Sequence, residues 1–280
     1  MAVDWLAAWG VRFNSTRLQR YQRLAEKLAA SSRTEWQELA KRDPATLYGT
    51  YLELDELSKV FRALSPTSNY GLAVARRNKQ ISAGPDTHAK EKLGNASSRS
   101  RDFFFELSVA AFLVRVGFRL DPLAAPDVLA RGAGKTLVVE CKRPQTFKAI
   151  TRNAADAFEQ LEREYNARPR PRWRGMIALD CTKMVNPTLQ PREYASTAEF
   201  ASVSDRESLE VLEKVKALIR WPRFRNTIGL LVRTRDIGVI PSGYGPEPFV
   251  SDAMSVVSAP DVSVADESLL MGMTTGFRSH

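Results

Sequence analysis

Residues 101–116 carry Phe103, Phe104, Phe105, Leu107, Val109, Phe112, Leu113, Val114 and Val116, and Gly117 follows directly. This spacing predicts a helix apolar around nearly its whole circumference, with Gly117 at the position where helices commonly end. Such a helix has to be covered on most sides, so whatever the chain builds must surround it. Its acids are Asp102 and Glu106, four residues apart. Either they line a narrow exposed stripe, or a carboxylate is aimed at a polar site in the core.

The segment after the helix reads as short extended pieces. Phe118 to Leu120 is a first strand, Pro126 to Ala130 is apolar, and Arg131-Gly132-Ala133-Gly134-Lys135 has turn composition. Thr136 to Pro144 opens with Leu137-Val138-Val139, giving strand, hairpin, strand. Side chains alternate faces along a strand, so Val138, Glu140 and Lys142 point one way and Val139 and Cys141 the other. The hairpin then brings Asp127 alongside Glu140 and Lys142. A lone Glu-x-Lys is commonly a solvated strand edge, but here the context adds to it. Ala154 to Asn166 carries Ala157, Phe158, Leu161 and Tyr165 at helical spacing, with Gln160 among them, and Gly175 to Asp180 is a further apolar strand. The expected order is helix, strand, strand, strand, helix, strand.

With Glu106, Pro126-Asp127 and Glu140-Cys141-Lys142 in that order, residues 99–182 resemble the PD-(D/E)xK, or restriction-endonuclease-like, nuclease superfamily. The resemblance implies an α/β fold with a mixed central β-sheet flanked by helices, and metal-dependent cleavage of phosphodiester bonds. It implies Asp127 and Glu140 as magnesium ligands, Lys142 near the attacking water and Glu106 as an auxiliary acid. Gln160 with Tyr165 is similar to the Gln-x-x-x-Tyr motif of RecB-type members, with the aromatic one position further along, and this puts Gln160 among the catalytic candidates.

The chemistry also follows from the residues. Magnesium takes oxygen ligands and keeps several waters, so one or two carboxylates and a substrate phosphate suffice. Asp127 and Glu140 supply that charge, the Cys141 carbonyl can add a ligand, and manganese would serve as well. Lys142 can neutralise charge developing on a phosphate or orient the nucleophile. Two carboxylates in one place repel each other, so without a cation one of them should titrate high.

Composition fits a polyanionic partner. The formal charge is +9 and the pI near 9.7, which favours binding to nucleic acid or anionic membrane. Arg76, Arg77, Lys79, Lys90, Lys92, Arg99 and Arg101 crowd residues 66–101 against Asp86 and Glu91. Residues 168–174 and 220–225 interleave arginines with Trp173, Trp221 and Phe224, which suits phosphate contact with stacking on bases. Singly, each stretch also reads as a solvated loop. The expected nucleic-acid contacts are Arg76, Arg77, Lys79, Arg143, Arg172, Arg174 and Arg223, with DNA the expected substrate.

The remaining sequence is architecture. Residues 1–65 read as an N-terminal helical region: Leu18, Tyr21, Leu24, Ala25 and Leu28 mark one face, Ser32 and Glu35 form a capping box, and Asp43-Pro44 opens a third helix. Residues 66–98 read as a basic linker or loop, 99–258 as a nuclease-like α/β domain, and 259–280 as a flexible tail. Beyond residue 182 a helix over 204–219 and strands at 227–232, 237–240 and 249–257 are expected. Cys141 and Cys181 read as reduced thiols of a cytoplasmic protein. With only His88 and His280, a zinc site or a histidine-activated nucleophile lacks its parts. No membrane partner is expected, and a homodimer that cuts both strands is one possible assembly. The alternative function is a non-catalytic nucleic-acid-binding or assembly subunit in which Asp127, Glu140 and Lys142 form a structural salt-bridge cluster.

Overall fold

The computed structural model describes residues 2–8, 10–11, 16–66, 99–121, 127–167, 171–188, 190–222, 226–242 and 245–277. Four helices come first: α1 (Ala2–Ala8), α2 (Arg17–Ala30), α3 (Arg33–Arg42) and α4 (Pro44–Leu64). Their starts are written in the sequence. The Ser32 side chain and Glu35 satisfy each other's backbone N–H groups in a capping box, and Asp43 accepts from the Thr46 N–H at 3.1 Å with Pro44 in the first turn of α4.

The long apolar helix is α5 (Arg99–Arg115), buried at almost every position from Ser100 to Leu113. Gly117 ends it at φ +90°, the Gly117 N–H donating to the Val114 carbonyl and the Phe118 N–H to the Leu113 carbonyl. This paired closure needs the left-handed conformation that glycine adopts without penalty. After α5 come β1 (Arg119–Leu120), β2 (Val128–Gly132), β3 (Lys135–Lys142), α6 (Phe147–Ala167), β4 (Trp173–Asp180), α7 (Thr182–Val185), β5 (Arg192–Glu193) and α8 (Thr197–Leu218). The chain closes with β6 (Thr227–Ser242), β7 (Gly245–Ser258) and α9 (Val264–Phe277).

The strands make one mixed sheet in the order β1-β2-β3-β4-β6-β5, with β7 also on β6. β1, β2 and β3 are antiparallel, β3, β4 and β6 are parallel, and β6 with β7 is an antiparallel hairpin. The β2–β3 turn is tighter than composition suggests, because Gly132 already pairs with Lys135. Its two loop residues, Ala133 and Gly134, have φ of 48° and 72°, the positive pair that matches strand twist in a two-residue hairpin.

Alternate residues of the central strands feed two cores. Leu137, Val139, Met176, Ala178 and Leu231 face α5 and the N-terminal helices, while Val138, Ile177, Leu179, Leu230 and Val232 face α6 and α8. Leu57, Val60 and Leu64 of α4 lie in the same core as Phe105 and Phe112 of α5. The helices of residues 1–65 therefore share a core with the α/β unit, because neither buries its apolar face alone. Trp5 belongs to this packing, edge-on to Phe61 at 5.9 Å.

Two expectations change here. The strands expected at 227–232 and 237–240 are parts of the single strand β6, since Arg233, Thr234, Arg235 and Asp236 are all buried within it. Residues 264–277, expected to belong to a flexible tail, form α9, which buries Leu270 and Met273 in the α5 core. Among the described residues no helix is long and apolar enough to cross a membrane.

Candidate active site

β3 carries the central residues. Val138 packs into the α6–α8 core and Val139 into the α5 core, so the alternation puts Glu140 and Lys142 on the α6 side and Cys141 on the α5 side. Asp127 immediately precedes β2. Extending the register by one step from Val128 opposite Val139 sets it opposite Glu140. Asp127 Oδ2 accepts a hydrogen bond from the Cys141 N–H at 2.9 Å. The N–H and C=O of one strand residue point to the same side, so the Cys141 carbonyl is also directed toward Asp127.

Asp127, Glu140 and Lys142 therefore meet on one face. The Asp127 carboxylate is near enough to raise the Glu140 pKa, and Lys142 Nζ stands 3.9 Å from Glu140 Oε2. Gln160, on the facing side of α6, accepts from Lys142 Nζ through its Oε1. Glu140 is 6% exposed. Burial first, and the Asp127 charge second, push its pKa up to about 8, with Lys142 drawing it partly back and Glu164 adding a further upward push. Sequence reasoning did not single out Glu164; its signal was the spacing of four from Gln160, one turn along the same helix face.

The raised pKa has a consequence for stability. In metal-free buffer, folded Glu140 keeps its proton where an ordinary glutamate at 4.5 has lost it. The folded state binds more protons in that window, so this group's contribution declines as pH rises from 4.5 toward about 8. Glu140→Gln should match the parent near about pH 4 and exceed it by on the order of 2 kcal/mol near about pH 9, as read by urea denaturation in chelator.

Glu106 is buried on α5. Its charge is among those that raise the Cys141 thiol pKa, after burial and Asp127, so it lies on the α5 side of β3. Cys141 and Cys181 are both free thiols, and burial is the largest cause raising Cys181 as well.

The expected nucleic-acid contacts divide. Pro126, Arg76, Arg77, Lys79 and Arg223 lie outside the described residues. Arg172 is exposed beside β4. Arg143 is buried and paired within the protein. Its side chain is 4% exposed, its Nε donates to Asp180 at 3.0 Å and its Nη1 to Asp102 at 3.1 Å, so it ties the ends of β3 and β4 to the first turn of α5. This also resolves Asp102, whose partner is that arginine. Arg174 is likewise drawn inward, its Nε 2.9 Å from both oxygens of Asp266 on α9. Trp173 is buried in the α6–α8 core and Trp221, partly buried, packs on Phe158 at 5.8 Å, so both indoles take part in core packing.

The donor set fits a hard divalent cation: two carboxylates face each other, one driven off its normal titration by the other and by burial. Among the described residues no group of three or more His, Cys, Asp or Glu side chains is arranged to hold a metal, so protein ligation would rest on Asp127, Glu140 and a backbone carbonyl. No family model, curated protein or solved structure matches this chain.

Proposed function

We propose that this protein is a magnesium- or manganese-dependent nuclease that hydrolyses phosphodiester bonds, with DNA as substrate, on a restriction-endonuclease-like core. The observation that carries the reading is the convergence of Asp127, Glu140 and Lys142 on one side of β3, with Glu140 raised to about 8 by burial and by the Asp127 charge. The order of α5, β1, β2, β3, α6 and β4 supports the core assignment, and the +9 charge supports a polyanionic substrate.

In this reading Asp127 and Glu140 hold the cation, with the Cys141 carbonyl on the same side. When bound, the metal polarises the phosphodiester and eases deprotonation of a water. Lys142 carries its ammonium beside the carboxylates, where it stabilises charge on the phosphate as the bond to the leaving oxygen breaks. Gln160 holds that ammonium in place, fixing its position before substrate arrives. Exposed Arg172 contributes a phosphate contact.

Titration calorimetry with manganese or magnesium tests the assignment. Saturable binding to the parent and its loss in Asp127→Ala support a metal-dependent enzyme. Failure of either ion to bind, with DNA present, removes the basis for hydrolysis. A second reading has an observation of its own: Lys142 is already engaged by Gln160 and Glu140, as expected of a structural charge cluster in a non-catalytic nucleic-acid-binding subunit. That subunit would bind DNA without responding to metal.

A further inference from the structure

The far end of the long β6–β7 hairpin holds a feature that the proposed chemistry does not use. A cleft of about 660 Å³ opens between α3 and the start of α4 on one side and β5 with the tips of β6 and β7 on the other. That volume falls in the range of about 300–1,000 Å³ typical of built ligand sites. Glu140 lies level with Ile177 and Leu230 across the sheet, and the cleft begins at Val239 on β6. At about 3.3 Å per residue the two places stand about 30 Å apart along the strand.

Tyr48 lines this cleft and is 3% exposed. Trp36 packs edge-on against its ring at 6.3 Å, but among the described residues its hydroxyl makes no hydrogen bond. Burial raises its pKa, and the Glu193 carboxylate on the opposite wall raises it further. That hydroxyl is not sealed in the core, so it opens on the cleft, where water or a ligand can meet it. Glu193 and Lys41, both lining the cleft, form no ion pair among the described residues. Gln37 and Gln190 add amide groups, and four proline rings complete the walls.

We infer that this cleft binds an extended, proline-rich peptide segment carrying a basic side chain. The four proline rings give an apolar trough for a polyproline II ridge, to which Tyr48 offers its hydroxyl rather than its ring face. Tyr48, Gln37, Gln190 and Lys41 can all donate hydrogen bonds. A polyproline II segment presents outward carbonyls and few N–H groups, so it is the backbone that a donor-rich wall satisfies. Glu193, the acid of the cleft without an ion-pair partner, pairs with the basic side chain.

Calorimetry with a peptide of repeated Pro-Pro-Arg tests this on the full chain. Saturable binding is expected, weakened about tenfold by Tyr48→Phe, which keeps the ring and removes the hydroxyl, and by at least as much in Glu193→Gln. Asp127→Ala should bind the peptide as the parent does, which separates this site from the proposed nuclease chemistry. The inference is overturned if the parent shows no saturation, or if both variants bind with unchanged affinity. Equal binding of a Gly-Ser-Arg repeat, or saturation by 4-hydroxybenzoate but not by the peptide, overturns it as well.

Discussion

On the proposed nuclease reading, Lys142→Ala is expected to lower metal-dependent DNA cleavage by about 10²–10³-fold while DNA binding and the folded state remain close to those of the parent. The size follows from position. Lys142 ends β3 on the same face as Glu140, its Nζ 3.9 Å from Glu140 Oε2 and held by Gln160. Its ammonium is the positive charge that the side chains of this trio supply, so its removal takes away stabilisation of the phosphate as charge develops. The side chain is 19% exposed and is not a core residue, so truncation should leave the cores intact. It also removes a cation that competes with a metal for Glu140, so manganese affinity should hold or rise. That split, lost turnover with retained metal binding, distinguishes a catalytic lysine from a structural one. The measurement is digestion of supercoiled plasmid, linear duplex and single strand with each ion. Cleavage at the parental rate would leave Lys142 without a chemical role.

The trio was legible in the sequence because its geometry depends on local rules. Strand alternation alone places Glu140 and Lys142 together, and a hairpin turning at Ala133-Gly134 brings Asp127 across. The burial of Arg143 was not legible because its partners are remote: Asp102 and Asp180 lie 41 and 37 residues away, and nothing local marks a cation that will be buried. The pairing of Arg174 was hidden in the same way, since Asp266 sits 92 residues on. α9 was missed because Gly272, Thr274, Thr275 and Gly276 dilute its second half, although Asp266 and Glu267 in its first turn are a helix-start signal. Its start is set by Ser263, which accepts from the Asp266 N–H at 3.2 Å, and its stability comes from packing Leu270 against α5 and the sheet. Most instructive is Arg233-Thr234-Arg235-Asp236. A run so polar reads as a break between strands, yet it lies in the buried middle of β6 because α4 and β7 supply the opposite charges. Periodicity shows where apolar residues go, but not where a charge has a distant partner.

The second large effect is expected from that buried network. Glu56 on α4 is 5% exposed. It accepts from Arg235 at 3.0 Å, from Ser108 on α5 at 2.6 Å and from Arg233, while Asp252 on β7 takes two more bonds from Arg233 at 2.9 and 3.0 Å. Burial alone would raise the Glu56 pKa, but Arg233 and Arg235 overcome it and hold the group at about 2. The same arginines depress Asp252 against its own burial. Glu56→Ala takes a carboxylate from two buried guanidinium groups at once, leaving Arg233 to Asp252 and Arg235 to Asp55 and the Leu52 carbonyl, and the expected cost is roughly 3–5 kcal/mol, a large share of the roughly 5–15 kcal/mol typical of a folded protein. The sign with pH is fixed by the depressed pKa. The stabilisation is complete above the ordinary 4.5 and is lost as pH falls toward about 2, so urea midpoints of the parent should drop across that window and those of Glu56→Gln should drop less. The damage should also reach the candidate site, because Arg233 lies opposite Asp180 across the sheet, and Asp180 holds Arg143, the residue after Lys142. Replacing Glu56, Arg233, Arg235 and Asp252 together by apolar residues of similar volume should cost far less than Glu56→Ala, since two carboxylates and two guanidinium groups then leave as a set. A quadruple variant as unstable as the single one would show that shape at this junction, rather than charge compensation, holds α4 to the sheet.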